Sequence, residues 1–416
     1  MRRAFVIELF GHEMCLLSVI QSLRFCEDLE VHVISSDHVK RNVMQSSFFQ
    51  EDVEWHEIKT EEPKRNRLIK NAKSFKRVIE DVLQAVFDVS ERNDLVLINT
   101  VECDLCHLLI SRNLVESLST RGLKVFIGIH NSFLFMSGFA AELEKDLKRY
   151  YSLPLETRFE KKGFPSFLSA IMAKMVLRHR RACLRRIAAS AAGHFVFGEL
   201  VLTPSSSKAR LVFSSKPVDL DVVSFRRKRI FEIGHNKDKL VFTVTGRVDL
   251  HRRDYTSVLR SFEQIDASKF QLVFLGEFAD EKVRELVSNS SIRNSITTFD
   301  RRISEEEFEH WISKTDFVIA PVSEIPPYGK FKISGNPGDA LSAGIPLIIP
   351  KRYYENNTSP GTLSYTDSES LKEKIEELIE NRAFSASISN EALDRTLSIA
   401  DGLERTASVC NILSDA

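Results

Sequence analysis

Short apolar runs alternate with helical patterns along most of the chain, and the alternation starts twice. In the first half the runs are Ala4 to Leu9, Val31 to Ile34, Leu95 to Ile98, Val125 to Ile129 and His194 to Phe197. Between them Cys15, Leu16, Val19, Ile20 and Leu23 form a helix face, and helical patterns cover 68–89, 106–118 and 164–192. The pattern weakens between Thr203 and Lys237, through TPSSSKAR, SSKP and the basic cluster at 226–229. It then resumes with strand-like runs at 240–245, 271–275, 316–320 and 347–349, helical patterns at 254–265, 281–287 and 304–313, and helix from Glu369 onward. Strand and helix in alternation predict a parallel sheet wound on both faces. The expectation is an α/β chain of two Rossmann-like doubly wound domains facing a central cleft. The first covers 1–237 with the linker and the second 238–416, with the terminal helices packing back on the first. Ligands of such folds bind at the strand C-termini.

Two stretches give that cleft its chemistry. In KISGNPGDALSAGIPLIIP, from Lys332 to Pro350, Ser334 is a natural helix N-cap and Gly335 leaves the neighbouring amides unobstructed. Ala340, Leu341 and Ala343 supply a helix face, Gly344 ends it, and Leu347 to Ile349 form a buried run. A Gly-containing loop that opens a helix beside a buried strand is a place where phosphate binds, although an ordinary helix cap has the same sequence. The second stretch is VFTVTGRVDLHRRDY, 241–255, where a strand runs into Gly246 and Arg247 and Arg252 and Arg253 stand before the next helix. Arginines on one βα loop can hold a diphosphate by charge-assisted hydrogen bonds. A solvated loop with surface arginines reads the same way.

Together these segments resemble the retaining glycosyltransferases of the GT-B fold, the family 4-like or group 1 enzymes. The matching positions are Gly246 and Arg247 with Arg252 or Arg253, then Asp339, Ala340, Gly344, Ile345, Pro346 and 347–349. In VFIGIHN, His130 falls where the family often has an active-site His. The resemblance implies a transferase that moves a hexose from a nucleotide diphosphate sugar to a hydroxyl of a saccharide or lipid-linked acceptor. Arg247 and Arg253 would stabilise the leaving diphosphate, with Gly246, Arg252, Lys332, Ser334 and Gly335 around the donor and Asp339 on its ribose. His130 would orient the reacting sugar. The departure is Phe331, eight positions before Asp339, where many members carry a glutamate. That departure supports a noncatalytic nucleotide- or saccharide-binding protein as the alternative, and a nucleotide-sugar epimerase shares the architecture.

Without the family, the same residues make chemical sense. Breaking the bond to a nucleotide diphosphate builds negative charge on the leaving oxygens, which fixed cations and oriented amides stabilise. With these in place no metal or cofactor is expected. His130 ends a strand, where it can bond a sugar or be a buried imidazole bonded to backbone. Gly11 and His12 follow the first strand and are candidate acceptor or sugar contacts.

Composition narrows the partners. Lys plus Arg and Asp plus Glu are both 58, so zero net charge argues against a dedicated nucleic-acid binder. The start MRRAFVIELF is interrupted by Glu8, Gly11, His12 and Glu13, and no stretch reaches the roughly 18 apolar residues of a membrane span. The six cysteines read as reduced thiols, and a cytoplasmic location is expected. CDLCH at 103–107 matches a haem-attachment pattern but opens a predicted helix, and Asp219-Leu-Asp221 reads as solvated linker. Lys208, Arg210, Lys216 and the run 226–229 are cationic without aromatic interleaving. The helix 164–190 places Phe164, Leu168, Ile171, Met172, Met175, Cys183, Leu184 and Ile187 at helical spacing among Lys and Arg. It is expected to cover the first sheet with its apolar face, and its basic side suits an anionic membrane at the inner face.

Overall fold

The computed structural model describes residues 2–400 apart from 10, 27–28, 47, 50–52, 60–67, 102–104, 131–134, 136–140, 198–208, 236, 251–252, 279, 324–333 and 354–358. The chain divides into two compact units, with the division between Phe213 and Ser214.

The first unit contains β1 (Arg2–Glu8), α1 (Glu13–Leu23), β2 (Leu29–Ser36), α2 (Asp37–Met44), β3 (Glu54–Ile58), α3 (Leu68–Phe87) and β4 (Leu95–Ile98). It continues with α4 (Leu105–Thr120), β5 (Lys124–Ile129), α5 (Ala141–Glu160), α6 (Ser166–Ser190), β6 (Gly193–Phe197) and β7 (Ala209–Phe213). Its strands are parallel, in the order β3-β2-β1-β4-β5-β6-β7. The second unit contains α7 (Leu220–His235), β8 (Leu240–Thr245), α8 (Tyr255–Phe262), β9 (Phe270–Glu277), α9 (Glu281–Ser288), β10 (Ile296–Phe299) and α10 (Glu305–Lys314). Then come β11 (Phe317–Ile319), α11 (Gly335–Ser342), β12 (Leu347–Pro350), β13 (Thr362–Tyr365), α12 (Ser368–Glu380) and α13 (Arg382–Ala400). This sheet is also parallel, ordered β10-β9-β8-β11-β12-β13.

The central strands are buried along their whole length because helices cover both faces of a parallel sheet. LVLI in β4 and LVFTVT in β8 are buried at every position, which is why an unbroken apolar run identified them. In each sheet the strand order reverses once, between β1 and β4 and between β8 and β11. Loops leaving such a pair part to opposite faces and open a crevice at the strand C-termini.

The stretch read as linker is structured. It holds β7 and α7, and α7 lies in the second unit. There Val218, Val223 and Ile230 pack with Leu393 of α13, so the terminal helix does return to a helix from before residue 237, but within its own unit. The basic run is not a surface feature throughout. Arg226 is fully buried and donates from Nη1 to the Thr315 carbonyl at 2.6 Å, while Arg229 Nε reaches Asp316 Oδ1 at 2.9 Å. Lys237 pairs with the same buried carboxylate. Burial pushes the Lys237 ammonium down to about 8 and the Arg226 guanidinium down to about 10, with Asp316 opposing both shifts. Asp219 is no solvated linker residue either, since its Oδ1 accepts from the Val222 amide at 2.9 Å at the start of α7.

The face expected along α6 is split. Ala173, Leu177, Cys183, Leu184 and Ile187 are buried, where α6 packs on α4 and α5. Phe164, Phe167, Leu168, Ile171 and Met175, toward the N-terminal end, are exposed. No helix among the described residues is long and apolar enough to cross a membrane.

Candidate functional site

In the second unit, β8 ends at Thr245 and the chain turns at Gly246, whose φ of 81° lies in the left-handed region that favours glycine. Arg247 is exposed beside it. Arg253 precedes α8 and folds back over this turn. Its Nη1 donates to the carbonyls of Gly246 and Arg247, both at 3.0 Å, and to the Tyr255 hydroxyl at 3.2 Å. Burial raises the Tyr255 phenol above its ordinary range, which keeps that acceptor neutral. Arg253 Nη2 donates to Asn336 Oδ1 at 3.0 Å, and Asn336 Nδ2 donates to the Thr245 carbonyl at 2.9 Å. One buried side chain in the first turn of α11 thus ties the arginine loop to the helix.

Ser334 occupies the N-cap position but makes no side-chain cap. Its Oγ donates to Asn336 Oδ1 at 2.7 Å, so the hydroxyl serves the Arg253 network and not the helix amides. Pro337 has no N–H, which leaves the Ser334, Gly335 and Asn336 amides as donors at this end, with the helix dipole behind them. One turn on, Asp339 is 5% exposed, accepts from Thr245 Oγ1 and pairs with Lys216 Nζ. The Lys216 ammonium also stands 4.5 Å over the Phe308 ring. Thr245 thus holds one Asp339 oxygen and Lys216 faces the other. Arg252 and Lys332, like Phe331, lie outside the described residues.

The first unit builds a different centre at the β1/β4 reversal. Glu8, the last residue of β1, is 1% exposed. It accepts from the Gly11 amide at 3.2 Å, from Asn99 Nδ2 and from Thr100 Oγ1. Gly11 at φ 129° and His12 at φ 67° bend the chain back toward the carboxylate. A left-handed histidine costs of order 1–3 kcal/mol and persists where its surroundings fix it. His12 is the N-cap of α1, yet its ring does not cap it. Nδ1 lies 3.0 Å from Thr100 Oγ1. Because the Thr100 hydroxyl gives its single proton to Glu8, His12 Nδ1 is the donor, and the acceptor nitrogen of the neutral ring is Nε2.

His130 directly follows β5, 9% exposed, with Nε2 2.9 Å from the Asn99 carbonyl. A carbonyl only accepts, so Nε2 carries the proton. The His130 ring stacks between His12 at 4.2 Å and Phe197 at 4.7 Å. Of the two readings of His130, the bond to backbone is the one seen, and the ring also belongs to a polar cluster. Gly11, His12 and His130 come together, with Glu8, Asn99 and Thr100 added by the fold. In the second unit the fold joins Gly246, Arg247, Arg253, Ser334, Gly335 and Asp339, and adds Thr245, Asn336 and Lys216. Sequence reading missed the roles of these partners because each is an ordinary polar residue: Glu8, Asn99, Thr100 and Thr245 act from strand ends, Asn336 from the first turn of α11 and Lys216 from the segment before α7. The only advance signal was polarity directly after an apolar run.

No protein-family model matches the chain, and no curated protein matches its sequence. Solved structures do match its fold. Anabaena HepE, in complex with UDP and glucose, superposes with a TM-score of 0.59 at 12% identity over 100% of both chains. A Rickettsia africae glycosyltransferase gives 0.58 at 12% identity, over 100% of this chain and 99% of that one. Phytolacca americana UGT2, complexed with UDP-2fluoro-glucose and pterostilbene, gives 0.52 at 10% identity over 100% of both. With two parallel α/β units of seven and six strands, the chain has the GT-B glycosyltransferase fold.

Proposed function

We propose that this protein is a glycosyltransferase that moves a hexose from a nucleotide diphosphate sugar to a hydroxyl of a saccharide or lipid-linked acceptor, with retention and without a metal. The observation that carries the reading is the uncapped start of α11 joined through Asn336 to Arg253. Cation and amides converge there on one strand-end crevice, an arrangement suited to a diphosphate. Arg253, Arg247, Arg252 and Lys332 stabilise the leaving group, and the Gly335 amide adds to them. Asp339 takes the ribose when Lys216 turns from it toward the phosphates. The Glu8, Thr100 and His12 chain and the His130 ring hold the reacting hydroxyls in the first unit. HepE and the plant enzyme support the donor class, since their structures contain UDP or a UDP sugar.

Calorimetric titration with UDP, GDP, ADP and CMP, with and without EDTA, tests the donor site. One nucleotide is expected to bind saturably, to survive EDTA and to be lost in Arg247→Ala; binding of none removes the diphosphate assignment. Phe331 favours the noncatalytic reading, and a transfer assay with the bound nucleotide's sugars decides between them. Sugar interconversion with no acceptor present would instead mark an epimerase.

The acceptor side of the proposal includes a membrane surface. Phe167, Ile171 and Met175 are only half to two-thirds exposed, so leaving them in water forgoes roughly 1–2 kcal/mol each. Exposed Lys161, Lys162, Lys174 and Arg178 flank them, a combination that matches an anionic lipid surface. Flotation with phosphatidylglycerol vesicles is expected to carry the protein, and Phe167→Asp to abolish it. Equal flotation of both proteins would remove α6 from this role.

A further inference from the structure

The edge of the first sheet, opposite in the strand order to β7, carries a cluster that the transferase reading does not use. His32 lies on β2, with Glu54 and His56 on β3. The parallel register sets His32 beside Glu54 and Ile34 beside His56. Side chains alternate faces along a strand, so all three fall on one face. His32 Nδ1 is 3.2 Å from His56 Nε2 and 3.3 Å from Glu54 Oε2, and His56 Nε2 is 3.6 Å from Glu54 Oε1.

The two imidazole nitrogens share one ring proton in a hydrogen bond, and a cation in place of that proton would meet both of them and the Glu54 carboxylate. With bonds of about 2.0–2.1 Å to a tetrahedral ion, two ligand atoms stand roughly 3.3 Å apart. The distances found lie close to that edge length, before any ion draws the ligands inward. His32 is fully buried, and its other nitrogen, Nε2, has no hydrogen-bond partner among the described residues, with the Glu30 carboxylate 3.6 Å away. Once a cation takes Nδ1, the proton stays on Nε2, the nitrogen nearer this carboxylate. Arg3 Nε fixes that carboxylate at 3.2 Å. Phe5 stacks on His32 at 4.9 Å and sets the ring plane. Glu54 is half exposed, so a fourth position is open to water.

We propose that His32, His56 and Glu54 form a site for a single zinc-class divalent ion that clamps the edge strand β3 to β2. Two imidazoles and one carboxylate suit zinc or cobalt over calcium or magnesium, which prefer all-oxygen shells. The clamp joins β2 to β3, whose connection runs through α2, at the position where a sheet is least supported. Neither strand-end centre includes these residues, so the site is independent of the donor chemistry.

Chelator-stripped full-length protein titrated with Co²⁺ tests this by visible absorption, with Zn²⁺ competition. One equivalent should bind with the d–d bands of a tetrahedral site, be displaced by Zn²⁺, and raise the thermal midpoint. His56→Ala and Glu54→Gln, both on the solvent side of the edge, should each weaken binding at least tenfold and remove the midpoint rise. Circular dichroism confirms that each variant is folded. Absence of one-to-one uptake, or uptake unchanged in both folded variants, overturns the proposal.

Discussion

The two strand-order reversals use the same backbone device for opposite electrostatics. At the β8/β11 crevice Arg253, Lys216 and an uncapped helix start gather positive charge, with Asp339 as the single buried acid among them. At the β1/β4 crevice the buried group is the Glu8 carboxylate, and it is met by neutral donors: a backbone amide, an asparagine and a threonine. Even the helix starts differ. Ser334 turns its hydroxyl to Asn336, while His12 turns its ring to Thr100. A cationic crevice suits an anionic leaving group, and a carboxylate-centred one suits the polarisation of hydroxyls. The comparison teaches that topology supplies the crevice, while a few strand-end residues decide what it can hold.

The comparison is broken most directly at Arg253. Charge-assisted bonds contribute about 1.5–3 kcal/mol each, so Arg253→Ala is expected to weaken nucleotide diphosphate binding by roughly a hundredfold and to remove turnover. Because the guanidinium also bridges the Gly246 and Arg247 carbonyls to Asn336, Arg253→Lys separates charge from bracing. Lysine restores the charge but not the planar fork, and an intermediate affinity is expected. Titration calorimetry reads both, and wild-type affinity in the alanine variant would end the cationic assignment. The matching change in the first unit is Glu8→Gln. The new NH₂ would then meet either the Gly11 amide or the Asn99 and Thr100 donors, depending on which oxygen it replaces. The cost is about 1–3 kcal/mol of stability by urea unfolding, with nucleotide affinity unchanged. A fall in nucleotide affinity would show that the two centres are not separate in chemistry.

The central strands were legible and the edges were not. β3, β7, β10 and β13 escaped the sequence reading as strands, and they are the four edges of the two sheets. EWHEI, ITTF and TLSY lack the buried run because an edge strand has one neighbour and partial cover. The α11 stretch was legible as a helix opening onto a crevice, since Ser334, Gly335 and Gly344 are local signals. Its link to Arg253 was not, because Asn336 lies 83 positions away in sequence. Arg226 shows the reverse: read as part of a basic cluster in the linker, it is fully buried against the Thr315 carbonyl. Charge alone does not tell which face of a helix a residue occupies, and the apolar neighbours Val223 and Ile230 set that face.

The smallest expected effect lies at the β2–β3 edge, and it sharpens the contrast by adding a titrating group that belongs to neither crevice. The His56 pKa is below the ordinary 6.5, chiefly through burial, so the folded chain binds its proton less readily than the unfolded chain. The stability this lends is fully present above pH 6.5 and is lost as pH falls from 6.5 through the lower folded value, below which the loss levels off. Urea unfolding across pH 5 to 8 should show this sag in the chelator-stripped protein, and His56→Gln should flatten it. A bound divalent ion competes with the same proton, so adding Zn²⁺ should raise stability above pH 6.5 and steepen the fall below it. The terminal phosphate of the nucleotide ionises in the same window, so any pH dependence of nucleotide affinity should be the same in the wild type and in His56→Gln. A matching sag in nucleotide affinity that disappears in His56→Gln would join this edge to the donor crevice and undo the separation drawn between the two units.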